Sequence, residues 1–399
     1  MRIVIVTPAV PHPFGDTAAR WFYVLITELA ARGHEVTLLA ATEEAEARVA
    51  EAQQRLAQQG GKFTLHCHRL KVDSFALRRK WQNLLRPCSE MIQDRELQEQ
   101  LGRELRQGYD VLHLEQLATG WLGVGNPRAL LNVHYIDVID WSERTEMTAG
   151  ERKALWQAER ATRRLLREVA NVRLLTPRLK EAAAAINPKG RYWVVPFALD
   201  TALYPLLPPA AEPVVGMIGS MHWEPSRSAA RRLITRIWPL VKQRVPAARL
   251  FIAGWNATKY LGDCASQSDV ELAENLQHPS EFFSRAAVMV YAPSRGSGMK
   301  VKVMESMAYG VPVVTTWEGM EGIEYQNGRE CWVAESDAEL AANVCRLLEN
   351  PSERQQMREA ARGLMEEHYS PRPVVDKMIS VYQELIESAK GDSPSSPCT

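Results

Sequence analysis

The chain has 399 residues, 46% of them hydrophobic, with 48 Lys and Arg balanced by 48 Asp and Glu. That length and apolar content suit two domains of ordinary size, and a net charge of zero excludes the broad basic surface of a nucleic-acid binder. No apolar run approaches the roughly 18 residues of a membrane span, and the six cysteines show no Cys-x-x-Cys spacing that would mark a zinc site or a disulfide framework.

In chain order, MRIVIVTP reads as a strand, Thr17 to Arg32 carries a helical apolar pattern with Asp16 or Thr17 as N-cap, and Gly33 to Leu39 returns as a strand. A chain that enters a strand at once carries no secretory signal, so a cytoplasmic location is expected. The loop of this βαβ start, AVPHPFGD, lacks Gly-x-Gly-x-x-Gly, and so does the rest of the chain, which disfavours NAD or FAD. His66-Cys67-His68 puts only its two histidines on one strand face, a weak basis for a metal site. Phe75 to Pro87, FALRRKWQNLLRP, has the pattern of a basic amphipathic helix, suited either to packing on its own domain or to peripheral contact with an anionic membrane.

Strands are predicted at Tyr109–Leu114 and Ala129–His134, each ending in polar residues. Ligands of doubly wound sheets lie at the C-terminal ends of strands, so His134 stands at a binding edge. The Pro-rich run Pro205 to Pro213 marks a boundary near residue 200. A second βαβ follows: strand Val214–Ser220, helix from about Ser226 to Val241, strand Arg249–Gly254. Leu276-Gln277-His278 precedes a short helix, Glu318–Gly322 reads as a solvated loop, Pro371–Lys390 as a long helix, and Gly391–Thr399 as a disordered tail.

The stretch Ala287–Thr316 carries the chemistry. An apolar strand ends at Pro293 and the loop Arg295-Gly296-Ser297-Gly298; Val301, Met304 and Ala308 then fall at helical spacing, and Gly310 stands where a left-handed cap is expected. Glycine loops that open a helix leave N–H groups free for an anion, and Lys300 and Lys302 add positive charge. Glu305 flanks the apolar stripe and needs a defined partner. These residues leave two readings open: an anion site beside a hydroxyl-binding carboxylate, or an ordinary strand-to-helix turn with Glu305 paired to a lysine.

MESMAYGVPVVTT, Met304 to Thr316, resembles the donor-binding motif of retaining glycosyltransferases of the two-domain GT-B fold, family 4 in particular. Trp193–Asp200 similarly resembles that family's interdomain Val-Pro-Asn-Gly-Val-Asp, with Phe197 and Ala198 replacing Asn-Gly. The resemblance implies an α/β fold of two Rossmann-like, doubly wound domains facing across a cleft. Residues 1–198 would form the acceptor domain, with 371–390 packing back on it, and 199–370 the nucleotide-sugar domain. Glu305 takes the place of the glutamate that holds the donor ribose. Ser297 stands where a first glutamate is expected, as in a Gly-Ser-Gly-x-basic-x-Lys subset similar to exopolysaccharide-associated transferases.

The loop Met221–Pro225 lacks the family's diphosphate-gripping Arg and Lys, a task that falls to Lys300 and Lys302. His134 matches a histidine beside the donor sugar, and Gly15 and Asp16 match the cleft-lining loop. Gln277 and His278 match the segment that meets the nucleobase. Gly219, Ser220, Gly298 and Met299 border the phosphates, and Glu321 is a further candidate for sugar hydroxyls. The implied activity is transfer of a sugar from a nucleoside diphosphate sugar to a hydroxyl of a glycan, lipid-linked or small-molecule acceptor. It proceeds by front-face displacement with retention, without metal or further cofactor, the domains closing to exclude water. The alternatives are a catalytically degenerate nucleotide-sugar binder and a sugar-nucleotide epimerase of the same fold.

Overall fold

The computed structural model describes residues 1–42, 46–58, 61–70, 91–140, 147–265, 269–274 and 276–391. The basic segment 75–87 and the expected tail beyond Gly391 lie outside them. The chain divides into two compact units, one of Met1–Val138, Glu146–Ala198 and Pro371–Thr399, the other of Ile139–Thr145 and Leu199–Ser370.

The first unit holds a parallel sheet of order β3-β2-β1-β4-β5-β6-β7. Its strands are β1 Arg2–Thr7, β2 Glu35–Thr42, β3 Phe63–Arg69, β4 Val111–Glu115, β5 Ala129–Val133, β6 Asn171–Leu174 and β7 Arg191–Val194. β1 is a run of Val and Ile with no exposure from Ile3 to Val6, as a central strand covered on both faces requires. Asp16 starts the Thr17–Ala31 helix by accepting the Ala19 N–H at 2.8 Å. The Pro371–Gly391 helix belongs to this unit. Its Asp376 pairs with Arg32 at 2.5 Å, its Glu384 accepts the Trp193 indole N–H at 2.7 Å, and Tyr382 is fully buried.

The second unit repeats the plan with β8 Val214–Ile218, β9 Arg249–Ala253, β10 Val270–Ala273, β11 Val288–Tyr291, β12 Val313–Thr315 and β13 Trp332–Val333, all parallel. The order is β10-β9-β8-β11-β12-β13. Two expectations are corrected here. The helix after β8 begins at Glu224, and a π turn at Leu233–Ile237 divides it from Trp238–Arg244. Pro239 has no N–H for the α ladder, and the shift to π bonding accommodates it. The segment Glu318–Gly322 is not a solvated loop: Trp317–Met320 forms a helical turn, with Glu318 and Glu321 both buried. Gly310 ends the Val301–Tyr309 helix at φ +77°. No described helix is long and apolar enough to cross a membrane.

Candidate functional site

In the second unit the direction of strand addition reverses between β8 and β11, and the loops leaving those two strands bound the crevice where doubly wound sheets take ligands. Gly219 follows β8. A methyl group there would lie 2.7 Å from Lys302 Nζ and 3.1 Å from Ser226 Oγ, so the missing side chain is what admits the ammonium group. Lys302 donates to Ser226 Oγ at 2.5 Å and lies 4.5 Å from the centre of the Tyr291 ring. Burial, and then repulsion from Lys300, lower its pKa to about 7, with Glu305 opposing. Gly254 backs the arrangement at φ +147°, where a Cβ would fall 1.8 Å from the Gly219 carbonyl oxygen.

After β11 the loop turns at Gly298, φ +71°. Gly296 lets the Lys300 stem pass, since its Cβ would meet Lys300 Cε at 3.0 Å. Lys300 donates to the Gly298 carbonyl at 2.5 Å and lies 3.7 Å from Glu321 Oε2, both side chains being buried. The Ser297 N–H donates to Asp140 Oδ1. Burial raises the Asp140 pKa to about 6 against the pull of Ser297 and Lys300, and Glu321 raises it further. Glu305, 6% exposed, stands within the Val301–Tyr309 helix, and its charge favours protonation of Lys302. Met299 is buried and Ser220 exposed. Gln277 and His278 are exposed beyond β10, two strands from β8; the His278 N–H is given to Glu281 Oε1 at 2.8 Å, within a capping box. A cavity of about 410 Å³, bordered by Glu212, Arg249 and Asp269, opens at the N-terminal edge of β8 and β9, opposite these loops.

The first unit has its own reversal, between β1 and β4. Gly15, after β1, is glycine because a Cβ there would meet Ala19 Cβ at 2.8 Å, and Asp16 is occupied as the helix cap. At the end of β4 lies a residue the sequence reading passed over. Glu115 is fully buried and accepts from Trp21 Nε1 at 2.7 Å, His113 Nε2 at 2.7 Å, Asn132 Nδ2 at 2.5 Å and His134 Nε2 at 3.1 Å. Burial works to raise its pKa, but the two histidines outweigh burial and hold the carboxyl well below the usual range.

Because the carboxylate only accepts, it sets His134 as the Nε2–H tautomer, leaving Nδ1 without a partner among the described residues. Tyr382 lies 2.8 Å from His113 Nδ1, and Arg173 donates to Asn132 Oδ1 at 2.6 Å while stacking 4.3 Å from the Trp21 ring centre. Burial lowers the Arg173 pKa to about 10, with Glu115 opposing.

A signal for this network exists in the sequence. His113 and Glu115, like Asn132 and His134, are polar residues two apart on otherwise apolar strands, and register pairs Glu115 with Asn132. His66 lies 3.5 Å from Gln100 and 3.7 Å from Glu104, and no group of three His, Cys, Asp or Glu side chains among the described residues is placed to hold a metal ion.

The fold has close counterparts. The chain is similar to sucrose-phosphate synthase from Thermosynechococcus elongatus, with 15% identity, TM-score 0.67, and coverage of 97% of this chain and 100% of that one. It is similar to HepE of Anabaena in complex with UDP-glucose, with 12% identity, TM-score 0.64, and coverage of 98% and 100%. A TarM mutant from S. aureus in complex with fondaparinux, alpha-GlcNAc-glycerol and UDP gives 10% identity, TM-score 0.66, and coverage of 96% and 100%. Likeness at these identities speaks to fold alone. No curated protein matches the sequence. The family model described as Glycosyl transferase 4-like domain matches residues 17–198, and that described as Glycosyl transferases group 1 matches residues 212–350. With both units matched over most of their length, the chain belongs to the family 4-like, group 1 glycosyltransferases of the GT-B fold.

Proposed function

We propose that this transferase moves a sugar from a nucleoside diphosphate sugar to a hydroxyl of a glycan, lipid-linked or small-molecule acceptor, with retention at the anomeric carbon. The observation that carries the reading is Lys302 on Gly219 at the β8–β11 reversal. A cation held at a glycine loop, at the strand ends where doubly wound sheets bind ligands, suits a diphosphate. The charge on the departing diphosphate is then met by Lys302, so the reading needs no further cofactor. Glu305 takes the ribose hydroxyls. His134, held through Nε2 by Glu115, has Nδ1 to offer a sugar hydroxyl as an acceptor. In front-face displacement the anomeric carbon–phosphate oxygen bond breaks as the acceptor oxygen bonds on the same face, and the acceptor proton passes to the leaving phosphate.

The complexes of HepE with UDP-glucose and of TarM with UDP put uridine donors first among those to try. Thermal shift and donor hydrolysis with UDP-, GDP-, ADP- and TDP-sugars, on wild type and Glu305→Ala, test the reading. Stabilisation with slow sugar release, both lost in Glu305→Ala, is expected. A wild type that no donor stabilises, indistinguishable from Glu305→Ala, refutes it.

A further inference from the structure

Asp140 ends the short helix Asp137–Asp140, belongs to the second unit, and is 3% exposed. One carboxylate oxygen, Oδ1, is bound by the Ser297 N–H. The other, Oδ2, is buried and has no hydrogen-bond partner among the described residues. Native proteins rarely leave a buried polar atom so, and such exceptions ask for a functional explanation. Around it, Lys300 Nζ is 3.7 Å from Glu321 Oε2, and both Lys300 and Glu321 act electrostatically on Asp140.

A second anion, such as a phosphate, would meet two carboxylates here and be repelled. A hydroxyl would not. It donates to one oxygen and accepts from an ammonium, which is the alternation of acceptor, donor and acceptor that Asp140, Lys300 and Glu321 present. The cluster stands on the loop leaving β11, beside the Lys302 site and separate from it. Ser297, which lacks a carboxylate of its own, carries that of Asp140 instead.

We propose that Asp140 determines sugar specificity, its free carboxylate oxygen accepting a hydrogen bond from one hydroxyl of the transferred sugar, with Glu321 and Lys300 completing the subsite. The proposal rests on the nucleotide-sugar reading above. Titration calorimetry on the full chain tests it with UDP, UDP-glucose and the singly deoxygenated UDP-glucoses, in wild type and Asp140→Asn; GDP, ADP and TDP pairs are run the same way. The isosteric amide can still accept from Ser297 but offers a donor where the sugar needs an acceptor.

The expected result is that Asp140→Asn binds UDP like wild type while the gain in affinity from UDP to UDP-glucose falls about 10- to 100-fold. One deoxy donor should lose a similar factor in wild type and nothing further in Asp140→Asn. An unchanged ratio with intact UDP binding overturns the proposal alone. Tighter binding of UDP and UDP-glucose alike also overturns it, and would make Asp140 a plug rather than a reader. Should Asp140→Asn fold poorly, the deoxy series in wild type still decides, since no hydroxyl mattering overturns the proposal. Absence of any nucleoside diphosphate binding to wild type overturns the nucleotide-sugar reading and this proposal together.

Discussion

Replacing Glu115 by Gln should destabilise the first unit strongly. Four N–H groups converge on the carboxylate, from Trp21, His113, Asn132 and His134. A glutamine of the same shape offers one accepting oxygen and turns an NH₂ group on two of those donors, and it removes the negative charge that balances buried Arg173. Removing one partner of a buried charge cluster costs about 3–5 kcal/mol. For a unit of this size each kcal/mol moves the melting temperature by roughly 2–4 °C, so a fall of about 6–20 °C is expected by scanning calorimetry at pH 7.

The pH profile adds a check. A carboxyl held below its unfolded pKa contributes stability above about pH 4.3, and the contribution fades as pH falls toward the folded value. The gap between wild type and Glu115→Gln should therefore narrow progressively below pH 4. A gap under about 2 °C at pH 7, or one that stays constant to pH 3, refutes the account of the network.

Lys302, lowered to about 7, should take up a proton when a diphosphate binds, because the anion favours the charged form. Calorimetry at pH 8 in two buffers of different ionisation enthalpy should then give close to one proton per UDP, and an uptake near zero removes Lys302 from the phosphate site. Asp140, raised to about 6, works the other way on stability. With Lys300, Glu321 and Ser297 facing it, ionising it in the unliganded fold costs about 3 kcal/mol between pH 4 and pH 6. Asp140→Asn should thus melt several degrees above wild type at pH 7.5 and beside it at pH 4; a lower melting point at pH 7.5 contradicts the burial argument. Gly254→Ala places a methyl 1.8 Å from the Gly219 oxygen at φ +147°, and should cost more than about 3 kcal/mol. Wild-type melting and UDP affinity in that variant would refute the close packing of the two glycines.

What could be read in the sequence follows its local physics. Central strands such as Ile3–Val6 are continuous Val and Ile runs, and caps such as Asp16 and Gly310 are single-residue signals acting over one turn. The loop at Ser297 and the helix at Glu305 were legible for the same reason. The burial of Glu321 is not legible, because Glu-Gly-Met-Glu-Gly looks solvated by composition and only the fold brings buried Lys300 to neutralise it. The Glu115 cluster needs strand register to become visible, and Tyr382 and Arg173 join it from 269 and 41 residues away along the chain. Asp140 reaches Ser297 over 157 residues from a helix of four, too short to leave a periodicity.

The burial of Tyr382 against His113 has a consequence for biogenesis. β1 and its neighbours are completed by a helix made after the second unit, so the first unit must remain unfinished while the whole of Leu199–Ser370 is synthesised. The later unit closes on Leu199–Ser370 and the already synthesised Ile139–Thr145, and has no such wait. During translation His113 and its neighbours stay open to water and to chaperones until the Pro371–Gly391 helix arrives, and a ribosome that stops near residue 370 leaves the second unit with all of its residues and the first without Tyr382.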